Sequence, residues 1–241
     1  MISSAAQLSS EAADRYLLLA DISGYTTFLD GVAQAHGEDF RGGLPAGYRV
    51  LGELIQGLID GLPNGFDLVK VEGDAVFAAA AADELDGQGR AVLDELGQAY
   101  RAFTARRDLL ARTASDDKCD ACFAVASLDL KAVLHRGFVV RQAVAQQADV
   151  VGPAVNVAHR LLKNSVRQRI GHRPYLLLSE PAASKLGVPD LGIEHREAYP
   201  NVGVVDTRIV DLAELAGLTS EEFQGPPGAS ASWPEIRISG S

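Results

Sequence analysis

Two aspartates, an asparagine and an arginine stand at positions where their chemistry can be used. Asp21 closes the apolar run YLLLADI (residues 16–22) and is followed at once by Ser23, Gly24, Tyr25, Thr26 and Thr27. A carboxylate at the end of a buried strand can hold Mg2+, while free amides at the start of a following helix hold phosphate oxygens. The same residue type also serves as a plain helix cap. Asp74 follows Gly73 between two β-type runs, FDLVKV (66–71) and AVFAAA (75–80), where Gly-Asp is favoured for backbone reasons alone. If the two carboxylates converge, they suit a two-metal site in which one ion activates a nucleophile and the other neutralises leaving phosphates. Asn156 and Arg160 lie four apart in VGPAVNVAHRLLKNSV, hence on one helix face, which Lys163 and Arg167 continue. That face reads as solvated polar surface, or as a clamp in which an amide meets a ribose oxygen and a forked guanidinium meets a phosphate.

These residues need a scaffold, and its elements are legible in outline. The run at 16–22 predicts a strand buried on both faces, with a helix capped by Ser23 directly after it. Leu51, Leu54, Ile55, Leu58, Ile59 and Leu62 repeat at helical spacing after the RGGLPAG break. Glu72-Gly73-Asp74 then makes the turn of an antiparallel hairpin. A single helix is expected over about 84–112, followed by strands at 127–134 and 137–144 joined through His135-Arg136. Pro153 suits the first turn of a helix running to about Gln168. A strand at 175–179, a short helix in EPAASKLG and a last strand within 203–211 complete the order. The succession fits an α+β, ferredoxin-like βαββαβ-type domain with helices on one face of a mostly antiparallel sheet. One domain is expected over 15–217, between a flexible N-terminal tail (1–14) and a C-terminal tail (218–241) rich in Gly, Pro and Ser.

Bulk properties narrow the partners. A chain of 241 residues, 47% hydrophobic and 22% charged, can bury a substantial core. A net charge of −10 leaves no basic field for a nucleic-acid backbone or an anionic membrane, yet spares enough cations for a small triphosphate. No apolar stretch approaches the roughly 20 residues of a membrane span, and the N-terminus lacks a signal-like pattern; the expectation is a cytoplasmic protein. Cys119 and Cys122 sit in KCDAC, read as free thiols in a loop, with a bridging metal or redox pair as the alternatives.

Three segments, LLLADISGYTTFL, VKVEGDAVFAA and DVVGPAVNVAHRL, resemble in order and internal spacing the signature segments of class III adenylyl and guanylyl cyclases. The similarity spans about residues 15–211 and implies the cyclase homology fold. It also implies conversion of ATP to 3′,5′-cyclic AMP and pyrophosphate, two divalent cations (Mg2+ or Mn2+) per site, and a homodimer with sites shared between subunits, so that a monomer is inactive. The resemblance places the metal ligands on Asp21, Asp74 and the backbone of Ile22, and the triphosphate on the backbone of Ile22, Ser23, Gly24, Tyr25, Thr26 and Thr27. It places the base-selecting pair on Lys70 and Asp149, in the combination that reads adenine, ribose orientation on Asn156, α-phosphate charge on Arg160 and a triphosphate cation on Lys131. The late-strand phosphate-binding lysine of many members is missing from REAYPNVGVVD, with Arg196 or Arg208 as substitutes, and Glu72 adds negative charge near the expected metals. Alternatives are a cyclase for GTP or a pyrimidine triphosphate, a catalytically silent nucleotide-binding domain, and a phosphatase using Asp21 as nucleophile, disfavoured because Ser23 stands where its second acid is needed.

Overall fold

The computed structural model describes residues 11–36, 46–116, 124–144 and 147–217. Cys119 and Cys122 and the tail from 218 lie outside them. Among the described residues eight strands form one sheet: β1 (Glu11–Ser23), β2 (Phe66–Glu72), β3 (Ala75–Ala81), β4 (Asp129–Val144), β5 (Gln147–Val151), β6 (Tyr175–Ser179), β7 (Ile193–Tyr199) and β8 (Gly203–Asp211). Their order is β2-β3-β1-β4-β6-β8-β7, and β5 pairs with the far end of β4. Only β4 and β6 run parallel, so the sheet is open and mostly antiparallel, as expected of the α+β domain.

The strands alternate, and both faces of β1 are apolar. Tyr16, Leu18, Ala20 and Ile22 enter one core cluster, while Leu17 and Leu19 enter a second, which explains the uninterrupted apolar run. The first face is covered by α1 (Tyr25–His36), α2 (Ala46–Asp60), α4 (Gly89–Asp116), α7 (Glu180–Leu186) and α8 (Leu212–Leu215); the short α3 (Ala82–Leu85) leads into α4. On the second face, α5 (Pro153–Leu161) and α6 (Val166–Ile170) bury Ala154, Val155, Ala158, Leu161, Val166 and Ile170 over Leu17, Leu19, Phe77 and Val133. Helices therefore lie on both faces, not one.

Several expected boundaries move. The two strands expected at 127–134 and 137–144 are one 16-residue strand, because β1 pairs with β4 without a break from Glu11↔Arg141 to Ser23↔Asp129. His135, expected in a turn, is instead buried, with Nδ1 2.9 Å from Ser179 Oγ. Gly137 lets α5 lie close on this strand, since a Cβ there would stand 2.8 Å from Ala154 Cβ. Glu11–Asp14, assigned to the tail by sequence, extend β1. Ser23 is the last residue of β1 and not the helix cap; Gly24, with φ of +88°, makes the turn, and its carbonyl accepts from Phe28 N–H. The helix expected over 84–112 is divided into α3 and α4, and the one from Pro153 stops at Leu161. There Asn164 Nδ2 donates to the Leu161 carbonyl while its Oδ1 accepts from Val166 N–H and Tyr175 OH, which competes with continued helix. β5 and β7 were not expected, as neither carries a clear period-two apolar pattern.

Candidate active site

The end of β1 delivers Asp21 to the second face, beside the β2–β3 turn. The Ile22 N–H donates to the Asp74 carbonyl at 3.1 Å, continuing the β1–β3 ladder past Asp21↔Ala75 and holding the two aspartates together at the strand edge. Opposite Asp21 in the β1–β4 register stands Lys131, whose Nζ lies 3.2 Å from Asp21 Oδ1. Burial raises the Asp21 pKa and the charge of Asp74 raises it further, against the attraction of Lys131 and Arg167. A desolvated acid with a second acid beside it favours cations, so this pair suits a divalent ion's hard-oxygen preference. Among the described residues no three His, Cys, Asp or Glu side chains form a ready metal cage. Past Gly24, the first amides of α1, from Tyr25, Thr26 and Thr27, have no intrahelical acceptor and are available to an anion.

The α5 face delivers the other half. Asn156 and Arg160 are exposed one turn apart, opposite buried Ala154, Ala158 and Leu161. Asp21, Lys131, Asn156, Arg160 and Lys163, with Pro200, Asn201 and Val202, line one open cleft of about 940 Å³. Asp74, Lys70 and Asp149 are not on its wall. Within one chain, then, the cleft unites one aspartate with the Asn/Arg pair and leaves the remaining candidates outside.

Lys70 and Asp149 nevertheless meet each other. They come from β2 and β5, 79 positions apart in sequence, and Lys70 Nζ is 3.7 Å from Asp149 Oδ1. Glu72 comes closer still, with Oε1 3.0 Å from the same ammonium, and its other oxygen lies 3.5 Å from His159 Nδ1. Glu72 is therefore part of the Lys70 cluster, whereas the sequence reading put its charge near the metal aspartates. The hydrogen bond to Glu72 is the main reason the Lys70 pKa is raised. Phe77 forms the floor, with the ammonium 5.9 Å from its ring centre and His159 edge-on at 5.4 Å.

The expected substitutes for the missing phosphate lysine are elsewhere. Arg196 pairs with Asp206 at 2.7 Å and Arg208 with Glu194 at 3.4 Å, and both line a separate cavity at the β7–β8 edge. The break after α5 instead turns Arg167 away from the Asn156 face, into a cavity of about 270 Å³ shared with Ser23, Gly24 and Thr27. Sequence reasoning placed Arg167 on the α5 stripe; only the Asn164 break could have signalled otherwise.

Comparison with known proteins agrees with this architecture. A bacterial light-regulated adenylyl cyclase superposes with a TM-score of 0.58 at 15% identity over 88% of this chain, which spans only 57% of that protein's length. The adenylyl cyclase CyaB of P. aeruginosa gives 0.59 at 16% identity, covering 85% of this chain and 97% of CyaB. The guanylyl cyclase Cya2 gives 0.58 at 14%, covering 83% and 93%. These likenesses establish the cyclase homology fold. Residues 51–170 match the family described as "Protein of unknown function (DUF2652)". Over 167 residues the chain is 30% identical to Uncharacterized protein Rv2561/Rv2562 of Mycobacterium tuberculosis (strain ATCC 25618 / H37Rv), covering 68% of this chain and 74% of the relative. The chain thus belongs to the family of that mycobacterial protein, built on the fold of the nucleotidyl cyclases.

Proposed function

We propose that this protein is an adenylate cyclase, forming 3′,5′-cyclic AMP and pyrophosphate from ATP at two equivalent sites, each completed by a second copy of the chain. The supporting observation is that each chain carries both halves of such a site, Asp21 beside Asp74 at the end of β1 and Asn156 with Arg160 on the exposed face of α5, while Lys70 meets Asp149 across two other strands. The cleft that Asp21 shares with Arg160 inside one chain favours a site within the subunit instead, and mixing inactive variants decides between the two. The same chain leaves Asp74 and the base pair off that cleft, and α5 and α6 cover only part of the second face. Beyond them Leu68, Val69, Ala79, Val139 and Val150, together with Arg15, Asp67 and Arg141, line a groove that a two-fold partner would bury.

In the reaction the ribose 3′-oxygen attacks the α-phosphorus in line, the bond to the bridging oxygen of the β-phosphate breaks, and the hydroxyl proton passes to solvent. Asn156 orients the ribose, and Arg160 meets the charge that grows on the α-phosphate. The amides of Tyr25, Thr26 and Thr27, with Lys131, hold the triphosphate, the Ile22 amide expected to join them being taken by the Asp74 carbonyl, and Lys70 and Asp149 present a donor to adenine N1 and an acceptor to its amino group. Two divalent cations, held by Asp21, Asp74 and the Ile22 carbonyl, would supply Lewis-acid charge that favours the 3′-alkoxide and the leaving pyrophosphate.

Turnover of ATP with Mn2+ by the wild-type chain, and its loss in Asp74→Ala and in Arg160→Ala, tests the reading. Mixing the two inactive variants under conditions of subunit exchange should restore up to about a quarter of wild-type activity, since about half the dimers then carry one intact site. No revival despite exchange would remove the shared site, and no cyclic nucleotide from the wild type would remove the enzyme.

A further inference from the structure

Lys70 is flanked by two acceptors where a single base-reading pair needs one. Its ammonium lies 3.0 Å from Glu72 Oε1 and 3.7 Å from Asp149 Oδ1, with all three side chains between 36% and 39% exposed and so open to a ligand. Glu72 is not loose: its second oxygen lies 3.5 Å from His159 Nδ1, and His159 is seated against Phe77, the buried floor beneath Lys70.

The two purines make different use of such an arrangement. Adenine offers an amino donor and the N1 acceptor, which Asp149 and Lys70 match, leaving Glu72 facing a C–H. Guanine offers the O6 acceptor, then N1–H and the 2-amino group as adjacent donors; Lys70 matches the first, and a carboxylate on the Glu72 side matches the other two. One donor between two carboxylates thus complements either base, by shifting its partner from one side to the other.

We infer that Glu72 is a specificity-determining residue that reads the N1–H and 2-amino edge of guanine, so that the proposed cyclase site accepts GTP as well as ATP. The inference rests on that proposed function.

The test compares kcat/KM of the full-length protein for ATP, GTP and inosine triphosphate, which lacks the 2-amino group, in the wild type and in Glu72→Gln. The wild type should cyclise GTP within about tenfold of ATP, with inosine triphosphate behind GTP. Glu72→Gln should lose about tenfold or more on GTP, because a site built for paired donors discriminates strongly once they go unmet. The gap between GTP and inosine triphosphate should close, and the ATP-to-GTP ratio of kcat/KM should rise about tenfold or more. An unchanged ATP-to-GTP ratio in the variant, or a wild type that turns over ATP and ignores GTP, overturns the role of Glu72 and leaves the cyclase reading standing. Failure of the wild type on every triphosphate, with no nucleotide bound, overturns both.

Discussion

The two faces of the sheet are built by the same strands and differ in what they leave open. On the first, Tyr16, Leu18, Ala78, Leu134, Leu176 and Leu178 meet five helices and are almost fully buried. On the second, Leu17, Leu19, Phe77, Val133 and Leu177 are as dry, yet the next residues along, Asp21 and Lys131, open into the cleft, and Lys70, Glu72 and Asp149 stand half-exposed beyond. One face supplies cohesion, while the other uses part of its area to hold charges close together. A desolvated Asp21 costs stability in the free chain, which the apolar first face must offset.

That contrast can be broken from either side. The largest effect is expected on the first face: Leu178→Ala removes a fully buried side chain and should cost about 2–5 kcal/mol in denaturant unfolding, with whatever cyclase activity is present retained per folded molecule. On the second face, Arg160→Ala removes an exposed guanidinium and should do the reverse, lowering turnover on the order of 10²–10³-fold while shifting stability by no more than about 0.5 kcal/mol. An Arg160→Ala protein that is active, or one that is unfolded, would erase the distinction.

A third prediction concerns the seam between the faces. Asp129 starts β4 against α4, is 7% exposed, accepts from Tyr100 OH and Leu130 N–H through Oδ1, and has no partner for Oδ2. Burial raises its pKa to about 6. A carboxyl raised in the folded state holds its proton there longer than in the unfolded chain, so its contribution falls as pH rises from about 4 through 6. Asp129→Asn should abolish that slope, flattening the pH dependence of unfolding by on the order of 2 kcal/mol across this window; parallel curves for the two proteins would contradict it. Burial lowers the His135 pKa to about 4 and acts in the opposite direction in both proteins, so it cancels in their difference.

Much of this was readable along the chain. The run at 16–22, the Gly73-Asp74 turn and the Asn156/Arg160 spacing were each visible because they depend on residues within one turn or one strand. The extent of β4 was not, since a polar His-Arg pair mid-run looks like a turn until β1 is seen pairing across it. Nor was the end of α5, where Asn164 takes a tertiary partner in Tyr175. Arg196 and Arg208 looked available as phosphate cations because nothing in the sequence showed Asp206, Glu180 and Glu194 beside them.

By itself the sequence determined the local chemistry: which strand ends in a carboxylate, which helix carries an amide and a guanidinium on one face, and that the net charge suits a small anion better than a polymer. Only the tertiary structure decided which charges neighbour one another. Glu72 lies two residues before Asp74 and shares a sheet face with Asp21 through the register Asp21↔Ala75↔Glu72, yet its carboxylate meets Lys70 of its own strand and His159 of α5, and Asp149 of β5 meets the same ammonium. Proximity across a sheet depends on strand order and register, and these are set by long-range pairing that no local pattern encodes.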